Sequence, residues 1–238
     1  MTPPLFLCDP LPPGDLVVLD GPEGHHAARV RRIAVGESVQ LGDGRGTVLQ
    51  CVVRAAAADT LTLEVRSRRF DPEPDPRVVV VQALAKGERS ELAVELLTEL
   101  GTDEIVPWHA ARSVARWRDD QPLRRWRRAA AEAAKQSRRP RVPVITELAS
   151  TPDLGRRIAA ADLALVLHHA GETRLGDVAL PATGQLLLVV GPEGGITDEE
   201  LGALAGATRV RLGAPVLRTS TAGAAALAAL SERLGRWT

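Results

Sequence analysis

Apolar positions along this chain follow two rhythms, and the change between them falls close to residue 75. In the first part they alternate with polar ones. Leu61-Thr62-Leu63-Glu64-Val65-Arg66 keeps strict period two, the pattern of a strand with one face buried. Leu16-Val17-Val18-Leu19 reads as a short strand. Val39-Gln40-Leu41 and Val48-Leu49-Gln50-Cys51-Val52-Val53 flank turn chemistry at Gly42-Asp43-Gly44 and Gly46. These segments predict a small antiparallel barrel. One or two helical turns, expected between Gly24 and Arg32, would lie beside it and carry His25, Arg29, Arg31 and Arg32.

Later in the chain the apolar residues run without interruption. Val78-Val79-Val80-Val81, Leu163-Ala164-Leu165-Val166-Leu167 and Leu186-Leu187-Leu188-Val189-Val190 have the composition of strands buried on both faces of a parallel sheet. Helical signals lie between them. Leu92, Leu96, Leu97 and Leu100 mark one helix face, closed by Gly101 as a left-handed cap. Thr151-Pro152 has the chemistry of a helix start, and Thr197-x-x-Glu200 that of a capping box. Trp126, at helical spacing from Leu123 and Ala130, reads as core. An alanine-rich helix from about Thr221 to Leu234 has a smooth face suited to close packing, within the chain or across a dimer. The fold class is therefore α/β with a mainly parallel sheet, preceded by a small β domain. Asp71-Pro72-Glu73-Pro74-Asp75-Pro76 cannot continue a helix or a central strand. The expected organisation is residues 1–70, a linker at 71–76, and residues 77–238.

Composition narrows the classes without choosing among them. With 45% hydrophobic and 25% charged residues in 238, the chain is ordinary for a globular protein. No apolar run approaches the roughly 20 residues of a membrane span, and the N-terminus lacks the pattern of a signal peptide. A cytoplasmic location with no membrane partner is expected. Cys8 and Cys51 form no C-x-x-C pair and are expected to be plain thiols. The five histidines have no acidic residue at ligand spacing, so no metal is expected. Net charge is zero, but residues 111–141 hold eleven basic residues against three acidic ones. Arginine supplies all but one of the eleven, and its planar fork suits phosphate.

Three loops sit at the ends of expected parallel strands, where open sheets of this kind bind ligands. They are Leu167-His168-His169-Ala170-Gly171, then Gly191-Pro192-Glu193-Gly194-Gly195, then Leu212-Gly213-Ala214-Pro215-Val216-Leu217-Arg218. Glycines in the second loop allow close backbone approach, so peptide N–H and C=O groups can meet an adenine or a ribose directly. Neither a G-x-G-x-x-G fingerprint nor a Walker lysine loop is present, which argues against NAD and ATP.

Together, these motifs resemble a known family. Lys86-Gly87-Glu88-Arg89, Thr98-Glu99-Leu100-Gly101, Ile105-Val106-Pro107, Arg112-Ser113, Glu132-Ala133-Ala134-Lys135-Gln136-Ser137, Val142-Pro143, Val190 to Gly195 and Leu212 to Ala222 occur in the order of the RsmE-type 16S ribosomal RNA uridine-N3 methyltransferases, of the SPOUT superfamily. His26-x-x-Arg29-Val30-x-Arg32 and Gly42-Asp43-Gly44 resemble that family's PUA-like domain. The resemblance covers nearly the whole chain. It implies a PUA-like β-barrel followed by a methyltransferase domain with a trefoil knot, S-adenosylmethionine as cofactor, a homodimer, and 16S ribosomal RNA of the small subunit as partner. Where many members have glutamate in the Leu217-Arg218-Thr219-x-Thr221-Ala222 loop, this chain has Ser220, so no carboxylate base is expected there. Ser90 also stands where an apolar residue is common.

The cofactor residues expected from the three loops are Leu167 and His168, Gly191 to Gly195, and Leu212, Gly213, Val216, Leu217, Arg218, Thr219 and Thr221. Methylation at N3 of uracil needs loss of a weakly acidic proton, which spreads negative charge onto O2 and O4. A fixed cation there would favour the anion. Arg218 is the leading catalytic candidate, against a bracing ion pair with Glu193, and Glu193 is the second candidate, as a base. Arg29, Arg31, Arg32, Lys86, Arg89, Arg112, Arg116, Arg138 and Arg139 are the candidate RNA contacts. Some of them would be ordinary solvated surface. Trp108 and Trp117 are candidate stacking surfaces. The competing readings are another SPOUT activity such as ribose 2′-O-methylation, a non-enzymatic RNA-binding assembly factor, and a phosphate-binding α/β enzyme.

Overall fold

The computed structural model describes residues 2–237. The chain divides into two compact units, Met1–Glu73 with Ala134–Val142, and Pro74–Ala133 with Pro143–Thr238. In the first unit the strands are β1 (Leu5–Leu7), β2 (Leu16–Leu19), β3 (Ser38–Gly42), β4 (Thr47–Ala56) and β5 (Leu61–Phe70). They form one sheet in the order β1-β3-β4-β5-β2. The pairings are antiparallel except that β1 runs parallel to β3. Alternation does what the sequence predicts. Leu61 and Leu63 point inward with Phe6, Leu19, Leu41 and Leu49, each at most 2% exposed. Helix α1 (Gly21–His25) continues as a π-helical turn, His26–Val30. It begins three residues earlier than expected because Pro22 occupies its first turn. Gly24 is obligatory here, since a Cβ would lie 2.6 Å from the Leu19 carbonyl oxygen. Cys8 and Cys51 are free thiols, each pushed up to about 11 chiefly by burial.

The second unit follows the chain order β6 (Arg77–Ala83), α2 (Arg89–Glu99), β7 (Glu104–Trp108), α3 (Gln121–Ser137, whose last turn belongs to the first unit), β8 (Val144–Ile145), α4 (Thr151–Ala160), β9 (Leu163–Leu167), β10 (Thr173–Arg174), β11 (Gln185–Val190), α5 (Asp198–Ala203), β12 (Thr208–Arg211) and α6 (Thr219–Arg233). Seven strands line up as β10-β12-β9-β11-β6-β7-β8, every pairing parallel. Val78 to Val81 and Leu186 to Val190 are fully buried, as continuous apolar strands should be. Each such valine or leucine contributes about 1.5–3 kcal/mol of hydrophobic stabilisation.

Three local expectations need correction. Helix α2 buries Ser90, Ala93, Val94, Leu97 and Thr98, while Leu92 is 41% exposed. The leucines suggested a stripe rotated from the true one. Ser90 faces inward because its hydroxyl accepts the Trp126 indole N–H at 3.0 Å. The cap of α4 is Ser150, paired reciprocally with Asp153, and Thr151 is already helical. Trp108 is completely buried on β7 and can stack on no base. The smooth face of α6 packs within the chain, against α2, β6 and β11. There a Cβ on Gly223 would come within 3.1 Å of Val190. Among the described residues no helix is long and apolar enough to cross a membrane.

Candidate cofactor site and RNA-facing residues

Strands β9, β11 and β12 point their carboxyl ends the same way, and the loops that leave them enclose a cleft of about 600 Å³. That is within the range of roughly 300–1,000 Å³ typical of small-molecule sites. The first loop contributes Leu167, His168 and His169. The second contributes Gly191, Pro192, Glu193, Gly194 and Gly195, and the third Leu212, Gly213, Val216, Leu217, Arg218 and Thr219. Thr221 lies apart, one turn into α6, with its hydroxyl turned back to the Arg218 carbonyl at 3.2 Å.

Each wall is positioned by contacts that can be named. Arg211 on β12 donates to the Gly171 carbonyl at 2.6 Å, which ties the first loop to the neighbouring strand. Burial, reinforced by His169 and Arg209, lowers the pKa of His168 below the usual imidazole value, and Asp198 only partly opposes this. His168 is thus neutral near neutral pH. The second loop closes as a turn in which the Gly195 N–H donates to the Pro192 carbonyl at 2.9 Å. Gly195 has φ +76, a left-handed backbone that favours glycine. A Cβ on Gly191 would lie 2.6 Å from the Ile196 side chain, and one on Gly194 2.9 Å from the Arg112 Cβ. The Thr219 hydroxyl donates to the Gly191 carbonyl at 3.0 Å, joining the second loop to the start of α6.

Arg112 belongs to this cleft, although the sequence suggested only an RNA contact for it. Its guanidinium donates to the Gly194 carbonyl at 3.2 Å. The segment that carries it is held by Glu200, which is 5% exposed. One carboxylate oxygen of Glu200 accepts the Ala111 N–H at 2.7 Å, and the other closes the capping box with Thr197. Nothing in the spacing of residues 112 and 194 announces this contact, because it is purely tertiary. Val190, Ile196 and Val210 complete the apolar lining and were also missed. Each ends or follows a buried strand, which could have flagged it.

Arg218 caps α6 from an extended conformation and is exposed. Its guanidinium has no hydrogen-bond or ion-pair partner among the described residues, so the bracing pair with Glu193 does not form. Glu193 is exposed in its turn, likewise without a partner. The backbone N–H groups of Gly213, Ala214, Val216 and Leu217 are also unclaimed among the described residues. The cleft therefore offers backbone donors along one wall, a tight glycine turn along another, and a free cation at its edge. No group of histidine, cysteine and acidic side chains among the described residues could hold a metal.

The remaining basic candidates are divided between the two units. Lys86 and Arg89 are exposed at the start of α2. Arg116 reaches the His109 imidazole at 3.1 Å. Trp117 packs edge-on against buried Trp126, with ring centroids 5.3 Å apart. In the first unit Arg29 is engaged by Asp59 at 2.8 Å, while Arg31, Arg32 and Arg138 are exposed. Arg139 is half-buried beside them.

Residues 72–231 match the RNA methyltransferase domain family, and residues 19–66 match the RNA methyltransferase PUA domain. The chain is 51% identical to the ribosomal RNA small subunit methyltransferase E of Mycobacterium bovis, with 98% of this chain and 93% of the relative covered. The chain belongs to this methyltransferase family. The Bacillus subtilis member is 31% identical over 90% of this chain and 88% of its own length. A crystal structure of the Neisseria gonorrhoeae family member bound to S-adenosyl methionine superimposes with a TM-score of 0.88 at 26% identity, covering both chains in full. The PUA unit and the parallel-sheet unit thus occur here in the family's arrangement along the chain.

Proposed function

We propose that this protein transfers a methyl group from S-adenosylmethionine to N3 of one uridine in 16S ribosomal RNA of the small subunit. Its unpartnered Arg218 beside a glycine-walled cleft is the observation that carries the reading. The cleft fits the cofactor on its own terms. Gly191 and Gly194 let the second loop pack directly on Ile196 and Arg112, where a Cβ would clash, and the Gly213, Ala214, Val216 and Leu217 N–H groups, unclaimed among the described residues, are donors for a ribose, a carboxylate or an adenine edge. Leu167, Leu212 and neutral His168 would flank it without adding charge.

When bound, S-adenosylmethionine supplies an electrophilic methyl group on a sulfonium centre. The protein's task is to orient the acceptor and make N3 nucleophilic. Arg218 supplies a permanent positive charge, and the N-terminus of α6 adds the partial positive charge of its peptide dipoles. Both favour the N3-deprotonated uracil and hold the charge that appears on its carbonyl oxygens. Glu193, exposed and without a partner among the described residues, is the second candidate, as the carboxylate that would receive the N3 proton. Ser220 is buried and takes no part in that transfer.

Two structural parts of this reading rest on the family. Threading of the chain as a trefoil knot is supported by its path: β12 lies on the far side of β9 from β11, and α6 then returns over β11 and β6. Assembly as a homodimer is supported by the exposed apolar pair Val216 and Leu217 at the cleft mouth, and sedimentation of the purified chain tests it. The activity itself is tested by nucleoside mass spectrometry of 16S RNA from a strain lacking the gene. Loss of 3-methyluridine, restored by the wild-type gene, is expected; persistence of that nucleoside refutes the assignment. Arg218→Ala should lower methylation on the order of 100-fold or more with S-adenosylmethionine affinity retained. Equal loss of both would assign Arg218 to cofactor binding instead.

A further inference from the structure

Apart from Arg139, the arginines of the first unit fall into two groups. Arg29, Arg45, Arg54, Arg66 and Arg69 are each paired with a carboxylate, and Arg68 and Arg141 donate to backbone carbonyls. Arg31, Arg32 and Arg138 have no such partner among the described residues. The unpaired ones are not scattered. Arg31 and Arg138 line one small pocket together with His26, Lys135 and Gln136, against the β1 segment Pro4 to Phe6. No acidic side chain lines it.

Three features mark this pocket as built for an anion. Lys135, its side chain only 8% exposed, is fixed by Glu23 at 2.7 Å, which leaves the charges of Arg31 and Arg138 uncompensated. The His26 ring is steadied edge-on against Phe6, with centroids 6.1 Å apart. Finally, Arg32 and Arg138, with φ of 51° and 56°, are the two non-glycine residues with left-handed backbone among those described. Both close helix ends, with the Ile33 N–H bonded back to the Ala27 carbonyl and the Arg139 N–H to the Ala134 carbonyl, so the caps fix where this part of the chain turns. One of the two lines the pocket and the other is chain neighbour to Arg31. The pocket holds about 100 Å³, well under the roughly 300 Å³ at which small-molecule sites begin. That is too small for a nucleoside and suited to a single phosphate group.

We propose that the pocket of His26, Arg31, Lys135 and Arg138 grips one backbone phosphate of the RNA substrate, in the PUA-bearing unit and with no part of the methyl-donor cleft in its walls. The inference rests on the reading that the substrate is RNA. Bidentate arginine contacts would fix the register of the RNA without reading its bases.

Filter binding of a 16S RNA transcript by the full-length protein, over a series of potassium chloride concentrations, tests it. Arg31→Gln combined with Arg138→Gly removes both free cations. The glycine also relieves the left-handed backbone, so the melting temperature should not fall. Affinity should drop on the order of tenfold. The slope of log affinity against log salt should become shallower by about 0.7 per lost phosphate contact. S-adenosylmethionine affinity should be unchanged. If the wild-type protein binds with a steep salt slope and the variant keeps both affinity and slope, the pocket assignment is overturned while the RNA reading stands. If the wild-type protein shows no salt-dependent affinity for the transcript, the RNA reading fails and this inference falls with it. Protection by inorganic phosphate, with the RNA slope unchanged in the variant, would assign the pocket to a free anion and likewise overturn the proposal.

Discussion

The second and third loops face each other across one cleft and are built in opposite ways. Gly191 to Gly195 is a closed turn with an internal hydrogen bond, a left-handed glycine, and Arg112 packed on its back. Leu212 to Arg218 is open: among the described residues four backbone N–H groups and the Arg218 guanidinium are unclaimed, and Val216 is 83% exposed. The second loop gains its shape within the fold. The other keeps its polar groups for what binds. A preformed wall lowers the ordering cost of binding, and a wall of unspent donors supplies the new interactions.

If the closed wall is preformed, its brace should matter more to stability than anything in the open one. Glu200→Ala would leave the Ala111 and Thr197 N–H groups without their acceptor in a buried setting and release the segment carrying Arg112. A loss of about 3 kcal/mol is expected in denaturant unfolding, with S-adenosylmethionine affinity falling as well. Unchanged stability would mean that solvent reaches this brace and that the wall is not held as described.

Glycine substitutions then separate the two walls directly. Gly194→Ala puts a methyl group 2.9 Å from the Arg112 Cβ and 3.1 Å from its carbonyl oxygen. Overpacking of this kind costs about 1–3 kcal/mol, and cofactor affinity should fall about tenfold. Gly213→Ala meets nothing closer than Pro215 at 3.7 Å, so its effect on stability should stay within about 0.5 kcal/mol. Calorimetric titration of both variants decides the matter. Equal effects would erase the distinction between a packed turn and an open loop.

Much of this contrast was legible in the residues. Three glycines after a buried strand announce a tight turn, and the Thr197–Glu200 box announces the helix that follows it. What could not be read was which side chains come from far away. Arg112 lies some eighty positions before the carbonyl it meets, and Glu200 a similar distance after the backbone it braces. The same holds for charge. In the basic run at 111–141, and in the arginines of the β unit, only the fold reveals that Arg29 is occupied by Asp59 and Arg31 is not. The phase of α2 was misread because leucines were weighted over Ser90 and Thr98, whose hydroxyls are buried; Ser90 serves Trp126. Short edge strands such as β8 and β10 carry two residues each, too few for any periodicity.

The smallest expected effect concerns the loop that completes the cleft. His168 is held neutral chiefly by burial, with His169 and Arg209 disfavouring a further cation. Its folded-state pKa is below the unfolded value, so protonation is resisted in the native protein and the cost appears as pH falls through the ordinary histidine range. A sulfonium ligand in the same cleft would oppose that proton further. Cofactor affinity should therefore be flat down through the ordinary histidine value, until the pH reaches the lower pKa of the folded His168. Below that it should weaken, by less than tenfold per pH unit for a single site. His168→Asn should flatten the low-pH limb without weakening binding at neutral pH. Binding that strengthened on acidification would mean that His168 meets a negative part of the ligand, and would place the cofactor's carboxylate beside the first loop.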